Sequence, residues 1–118
     1  MIEPWPTELR VDPSRSMLSI AFDDGEAFAL PAEYLRVESP SAEVQGHSAA
    51  QKQIVAGKRH VRITSVEPVG NYAARIIFDD GHDTGLYSWN YLHELGRDQE
   101  SKWSAYVSAL RRTGGKRD

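Results

Sequence analysis

Hydrophobic and polar residues alternate along much of the chain in short runs that are typical of β-strands. The clearest feature is a repeat, in which Ile20-Ala-Phe-Asp-Asp-Gly25 recurs 56 positions later as Ile76-Ile-Phe-Asp-Asp-Gly81. Asp-Gly favours a tight turn between two strands, because glycine readily adopts a positive φ. In each copy a second short apolar run and then a helix start follow the turn. The pattern therefore predicts a strand–turn–strand–helix unit that the chain uses twice.

Local signals place the two helices of this repeat. Pro31 suits the first helical position ahead of Ala32–Val37, because its missing N–H needs no partner there. Ser88 is a suitable N-cap for a helix over Trp89–Leu95, and Gly96 is a suitable C-cap.

The remaining segments predict further strands and one closing helix. An opening hairpin is expected around Asp12-Pro-Ser, and His60–Val66 alternates as a half-buried strand, with Pro68 interrupting the chain after it. Apolar residues recur at helical spacing between about Ser101 and Arg112. These elements predict an α+β domain with a mainly antiparallel β-sheet and two or three short helices.

Length and composition indicate one globular domain. The chain has 118 residues, of which 40% are hydrophobic and 26% charged. We expect residues 1–118 to form a single domain, ordered from about 6 to 112, with a flexible basic tail over 113–118. The net charge of −3 argues against a nucleic-acid partner. No apolar run reaches the roughly 20 residues of a membrane span, so we expect no membrane partner and a cytoplasmic location.

Several kinds of catalytic site lack their residues. Cysteine is absent, which excludes disulfides, thiolate zinc sites, cysteine-ligated iron–sulfur clusters and cysteine nucleophiles. None of the histidines belongs to a His-x-Asp, His-x-Glu or His-Glu-x-x-His motif. Gly57-Lys58 is followed by Arg59, where a phosphate-binding loop needs serine or threonine. We therefore expect a protein that is not an enzyme.

The polar cluster Asp79–Asp83 has two interpretations. Asp80, His82 and Asp83, alone or with His47, offer carboxylate and imidazole ligands for a divalent metal. The same residues also suit a hairpin turn, because the related copy has that turn without a histidine.

A second candidate is the segment Ser39–Arg59, which has no clear period and is longer than most connections within a domain. We expect a packed functional loop, whose Ser39–His47 part forms one surface with the Asp79–Trp89 hairpin. For two aromatic members of that surface, Tyr72 and Tyr87, burial in the core is an equally good interpretation. The expected partner- or ligand-binding residues are Arg36, Glu43, Gln45, His47, Asn71, Tyr72, Asp80, His82 and Tyr87.

Long strings of the sequence resemble one known family. They are Leu30–Arg36, Ser39–His47, Val69–Tyr72 and Phe78–Trp89. Together they are similar to the gamma-butyrobetaine hydroxylase-like N-terminal domain family, over about Pro6 to Leu110. The chain looks like the short stand-alone bacterial branch, for which the family implies no established activity.

The resemblance implies a zinc ion held by three cysteines and one histidine in the hydroxylases. The positions that match the cysteines are Ser39, Ser41 and Val44, and His82 matches the histidine. One imidazole without thiolates cannot complete a tetrahedral structural zinc site. We therefore expect no cysteine-type structural zinc, and no cofactor beyond the divalent metal considered above.

The resemblance also implies partners. Similar domains precede iron- and 2-oxoglutarate-dependent catalytic domains, or are fused to P-loop ATPases that carry iron–sulfur clusters. The expected function is a non-enzymatic interaction module, an adaptor for iron–sulfur cluster assembly or for iron-dependent enzymes. Its partner would be an iron–sulfur carrier ATPase or an oxygenase, and the protein itself a monomer or weak homodimer. The alternative is a small metal- or ligand-binding protein using the Asp79–Asp83 hairpin and the Ser39–His47 loop.

Overall fold

The computed structural model describes residues 4–41, 44 and 54–118. Glu43, Gln45 and His47, which the sequence placed in the binding surface, lie outside the described residues. No helix among the described residues is long and apolar enough to cross a membrane. Within the described ranges the elements are, in chain order, β1 (Pro6–Val11), β2 (Met17–Phe22), β3 (Ala27–Pro31), α1 (Ala32–Val37), β4 (Ile63–Val69), β5 (Ala73–Phe78), β6 (Leu86–Ser88), α2 (Trp89–Arg97) and α3 (Gln99–Arg112).

The strands form two antiparallel sheets of three strands each, in the orders β1-β2-β3 and β4-β5-β6. The predicted α+β class is confirmed, but the strands are divided between two sheets. Each sheet is a meander that leads directly into a helix. The repeated unit therefore contains three strands and a helix, which is one strand more than the sequence predicted.

The two Asp-Asp-Gly turns have the same geometry, as the repeat predicted. In the first turn the N–H of Phe22 donates to the carbonyl of Glu26 at 2.8 Å. In the second, the N–H of Phe78 donates to the carbonyl of His82 at 3.0 Å. The glycines have φ values of +88° and +89°, which other residues rarely adopt.

One hydrophobic core takes side chains from the buried faces of both sheets. Equivalent positions of the repeat contribute equally, because Ile20 and Ile76, and likewise Phe22 and Phe78, are all buried. Alternate residues of β2 face this core and the others do not, as expected for a strand covered on one face. The other large buried side chains of this core are those of Leu18, Leu30, Tyr34, Leu35, Ile63, Tyr87, Leu92 and Leu95.

The helix α2 begins where the sequence predicted and ends later. The Oγ of Ser88 accepts a hydrogen bond from the N–H of Tyr91 at 3.1 Å, which confirms the N-cap. Gly96 is not the C-cap, because the helix continues past it and Asp98 caps it. A Cβ at Gly96 would lie 2.3 Å from the Phe28 ring, so glycine is needed there for packing.

Two prolines also lie elsewhere than predicted. Pro31 is the last residue of β3 and precedes the helix α1 instead of starting it. Pro68 lies within β4 instead of ending it. β4 is an edge strand of its sheet, where a missing backbone N–H is tolerated.

The segment after α3 has specific partners, whereas the sequence predicted a flexible tail. The N–H groups of Gly57 and Arg59 donate to the carbonyls of Lys116 and Arg117, both at 2.9 Å. The side chain of Arg117 also bonds to Glu33. The basic residues of this segment thus take part in tertiary contacts that composition alone does not reveal.

Candidate functional site

The segment that follows α1 contacts the turn between β5 and β6. Ser39 Oγ lies 2.9 Å from His82 Nε2, and Ser41 Oγ lies 2.8 Å from Thr84 Oγ1. Ser39, Ser41 and His82 are buried. We call these four residues the loop junction. The two segments that the sequence assigned to one surface are therefore joined by two hydrogen bonds between side chains.

Two cations converge on Asp80 beside the loop junction. Its Oδ2 lies 2.8 Å from Arg36 Nε and 2.6 Å from Lys58 Nζ, and its Oδ1 accepts from the N–H of His82 at 3.1 Å. Burial alone would raise the pKa of this carboxyl. The bonds from Lys58, the His82 N–H and Arg36 outweigh burial and lower the pKa to about 2. Arg36 and Asp80, both predicted site residues, thus form an ion-pair network.

The predicted cation ligands are engaged with other groups. Asp80 already faces two cationic side chains, and the Nε2 of His82 faces the Ser39 hydroxyl. Asp83 lies exposed on the same turn. Within the described ranges, no three His, Asp or Glu side chains are arranged to hold a metal ion. Here the hairpin interpretation of Asp79–Asp83 explains the observed contacts.

The zinc site implied by the resemblance does not fit these residues. Ser39, Ser41 and His82 do lie together, and the N–H of Val44 donates to the Ser41 carbonyl at 3.0 Å. The side chains supply two hydroxyls, one imidazole and an aliphatic group, where structural zinc needs thiolates or imidazoles. The hydrogen bonds of the loop junction connect the segments that a metal ion would otherwise connect.

Tyr87 belongs to the core, which is one of the two interpretations that its sequence left open, so it is not part of an exposed surface. Its side chain is 0% exposed, and its hydroxyl donates to the Leu35 carbonyl. Burial raises the pKa of the Tyr87 phenol. Its neighbour Leu86 points the other way and is exposed, since consecutive side chains of a strand face opposite sides.

Asn71 and Tyr72 lie far from the loop junction, so the predicted single surface is divided. They precede β5, whereas Asp80 and His82 follow it. The strand separates its two ends by roughly 17 Å at about 3.3 Å per residue. Both residues are exposed, and the Tyr72 side chain, at 55%, has the largest exposure of the large hydrophobic residues described.

Tyr72 lines a cleft that the sequence pattern did not predict. The volume of this cleft is about 360 Å³. Trp5 and Trp89 meet across it edge-to-face, with ring centroids 6.4 Å apart, and Trp89 Nε1 donates to the Asn71 carbonyl at 3.1 Å. We call this site the aromatic cleft, formed by Pro4, Trp5, Asn71, Tyr72, Ser88, Trp89 and Asn90. None of these residues is charged.

The exposed rings of the aromatic cleft are held in place. Trp5 is fixed through its backbone, because its N–H donates to Asp23 Oδ1 at 3.1 Å and its carbonyl accepts from the Asp23 N–H at 2.9 Å. The Tyr72 ring packs on Gly70, where a Cβ would come within 3.0 Å of it. In the sequence, the signal for this site was a tryptophan between two prolines at Pro4-Trp5-Pro6.

Three solved structures are similar to this chain in sequence and in fold. One solution NMR structure is 39% identical with a TM-score of 0.86, covering 99% of this chain and 92% of its own. A second solution NMR structure is 46% identical with a TM-score of 0.83, covering 97% and 85%. A crystal structure of a protein of unknown function of the DUF971 family, from Acidithiobacillus ferrooxidans, is 40% identical with a TM-score of 0.65, covering 77% and 91%.

The match to a protein family agrees with these likenesses. None of the curated proteins compared with this chain matches it. The family model described as gamma-butyrobetaine hydroxylase-like, N-terminal, matches residues 9–93, which include both copies of the repeat and the loop junction. The chain therefore belongs to the gamma-butyrobetaine hydroxylase-like N-terminal domain family.

Proposed function

We propose that this protein is a non-enzymatic, cytoplasmic interaction module that docks to a protein partner through the aromatic cleft. The observation that supports this function is the pair of large aromatic side chains, Trp5 and Tyr72, that remain 49% and 55% exposed at one cleft. Tryptophan and tyrosine are enriched among the residues that dominate the energy of protein interfaces.

The rigidity of the aromatic cleft favours binding. Side chains that are ordered before association lose less conformational entropy when a partner covers them. The edge-to-face contact of Trp5 with Trp89 and the packing of Tyr72 on Gly70 provide this order. The lining is uncharged, so the partner surface that fits it is apolar with hydrogen-bonding groups for Asn71 and Asn90.

The loop junction supports a structural role over a catalytic one. A serine hydroxyl beside an imidazole is the arrangement of a nucleophile and its base. Here Ser39 is 0% and His82 6% exposed, so a substrate has no access to the pair. Its hydrogen bonds join two segments of the fold instead.

The identity of the partner rests on the family resemblance. Domains of this family occur beside iron- and 2-oxoglutarate-dependent oxygenase domains and iron–sulfur ATPases. A domain that lacks the cysteine ligands of the hydroxylases' zinc site would serve such proteins as an adaptor, bringing them to a further component. We therefore propose an iron–sulfur carrier ATPase or an iron-dependent oxygenase as the partner.

Direct binding to purified partners tests this function. The carrier ATPase and the oxygenases of the same cell are each titrated by calorimetry with three forms of the protein: wild type, the double variant Trp5→Ala with Tyr72→Ala, and Leu9→Ala. Leu9 is an exposed apolar residue on β1, outside the aromatic cleft, and serves as the matched control. We expect binding by wild type and Leu9→Ala, and at least about a tenfold loss in the double variant.

Two results would contradict the proposal. Absence of binding to either class of partner would overturn the adaptor function. Equal binding by the double variant would show that the aromatic cleft is not the interface. A protein that binds a divalent ion with selective shifts of its amide signals, but no partner, would favour the metal-binding alternative.

A further inference from the structure

A buried carboxylate lies on α1, on a different surface from the aromatic cleft. The Glu33 side chain is 8% exposed, and both of its oxygens accept hydrogen bonds from Arg117. Arg117 Nε lies 2.9 Å from Oε2, and Arg117 Nη2 lies 2.7 Å from Oε1. This two-bond geometry is specific to a guanidinium, since a lysine ammonium cannot reproduce it.

An aromatic face completes the surroundings of the guanidinium. Arg117 Cζ lies 5.2 Å from the centroid of the Trp103 ring, within the range of a cation–π interaction. Tyr34 packs edge-to-face against Trp103 and is fixed by a bond from its hydroxyl to the Leu95 carbonyl at 2.7 Å. We call Glu33, Tyr34 and Trp103 the arginine pocket. A cavity of about 240 Å³ adjoins these residues, and Arg117 itself forms part of its wall.

The backbone beside the arginine pocket binds the residues next to Arg117. The N–H groups of Gly57 and Arg59 donate to two consecutive carbonyls, those of Lys116 and Arg117, at 2.9 Å each. Arg59 Nε also lies 2.8 Å from Asp118 Oδ1. Main-chain bonds along a segment, combined with a pocket for one side chain, are features by which proteins recognise linear peptides.

The occupying segment is attached through two glycines, Gly114 and Gly115. The N–H groups of these glycines donate to the carbonyls of Arg111 and Leu110, at 3.1 and 3.0 Å, and close the end of α3. Beyond Gly115, residues 116–118 are held by their own contacts with residues 57–59 and Glu33. Such a segment can leave the site and return to it without disturbing α3.

We propose that the arginine pocket and residues 57–59 form a binding site for an arginine-bearing peptide segment, which the chain's own residues 116–118 occupy as a tethered ligand. An arginine-bearing segment of a partner protein replaces them. This site is separate from the aromatic cleft, and the inference holds whether or not the proposed adaptor function is correct.

The tether sets the strength of the competition. A short flexible linker gives its ligand an effective concentration in the millimolar range. A free peptide therefore competes poorly while the segment is present. If the free peptide binds the vacated site with a dissociation constant of about 0.1 mM, removal of the segment strengthens its apparent binding about tenfold.

Fluorescence anisotropy with a labelled peptide tests the site. The probe has the sequence of residues 112–118, Arg-Thr-Gly-Gly-Lys-Arg-Asp, and a second probe carries Arg117→Ala. The proteins are the full chain, a chain that ends at Gly115 and so keeps the closing bonds of α3, and this shorter chain with Glu33→Gln. We expect the shorter chain to bind the first probe about tenfold more tightly than the full chain does. We also expect the shorter chain to bind the Ala probe at least about tenfold more weakly than it binds the first probe. Glu33→Gln should abolish this preference.

Equal binding of both probes by the folded shorter chain, or no binding of either at about 1 mM, would overturn the proposal. If the shorter chain does not fold, the full chain with Arg117→Ala replaces it, and Lys116→Ala is its control. Arg117→Ala should then gain affinity for the first probe, while Lys116→Ala matches the wild type. No gain in Arg117→Ala would equally overturn the proposal.

If residues 116–118 of one copy occupied the arginine pocket of a second copy, the protein would form a dimer. Light scattering of the full chain should show a monomer, because the segment fills the pocket of its own chain. A dimer that disappears with Arg117→Ala would identify a second copy as the occupant and overturn the tethered arrangement.

Discussion

Ser39 and His82 are 43 residues apart in the chain, yet Ser39 Oγ lies 2.9 Å from His82 Nε2 in the interior of the protein. This contact distinguishes two turns that otherwise match. The position equivalent to His82 in the first copy of the repeat is Glu26, which is exposed. After the same backbone turn, the side chain therefore faces solvent in one copy and makes a buried hydrogen bond in the other.

We expect Ser39→Ala to lower the free energy of unfolding by about 1 to 3 kcal/mol, because it removes a buried hydrogen-bond partner of the imidazole. Urea denaturation measures the change. Ser104→Ala, at an exposed position of α3, is the control and should change stability by less than about 0.5 kcal/mol. If the two variants are equally stable, the Ser39–His82 bond contributes nothing to folding.

Asp80 gives the fold a dependence on acid pH. Its pKa is lowered from 3.8 to about 2 in the folded protein, so the ionised carboxylate is stabilised by folding. That stabilisation is complete above pH of about 4 and is lost as the pH falls towards 2. We expect Asp80→Asn to be less stable than wild type at pH 7 and the difference to shrink between pH 4 and pH 2. Thermal melts across this range measure it, and a difference that is independent of pH would contradict this role of Asp80.

Gly96→Ala should destabilise the protein although Gly96 lies within a helix. Alanine normally stabilises a helix interior relative to glycine by about 1 kcal/mol. Here the added Cβ would lie 2.3 Å from the Phe28 ring, and overpacking of this kind costs about 1 to 3 kcal/mol. The double variant with Phe28→Ala tests the cause. Once the ring is absent, Gly96→Ala should no longer destabilise, and an unchanged cost in chemical denaturation would disprove the contact.

Arg117→Ala should cost about 2 kcal/mol in the free energy of unfolding, because it leaves the Glu33 carboxylate buried without its guanidinium. The cost is below that of a fully buried pair, since Arg117 is 37% exposed. Combining Arg117→Ala with Glu33→Gln should recover part of it, because an amide tolerates burial better than a charge does. A double-mutant cycle by urea denaturation measures the coupling, and additive effects would contradict it.

Features set by local chemistry were predictable from the sequence. The Asp-Asp-Gly turns and the Ser88 N-cap depend on a few neighbouring residues, and both are confirmed. The third strand of each unit was harder to assign to the repeat, because β1 and β4 lack the motif that marks the rest. Gly96 was misinterpreted because its role depends on a distant ring, that of Phe28.

The candidate site was less predictable than the fold. Tyr87 lies on a strand of three residues, which is too short for alternation to show which side chains face inward. The aromatic cleft combines Trp5 and Trp89, which are distant in the chain, so only tertiary packing brings them together. Asn71 and Tyr72 lie close in sequence to Asp80 and His82, but the extended strand β5 between the two pairs keeps them apart.

The turn after β5 holds both ends of the long segment between α1 and β4. Ser39 and Ser41 attach one end to His82 and Thr84, and Lys58 attaches the other to Asp80. Chain inserted between two fixed ends adds little entropic cost, about 0.6 kcal/mol for each doubling of loop length. Evolution can therefore change the length and sequence of this segment at little cost to the fold. Related domains can in this way differ in the length of this segment while sharing one scaffold.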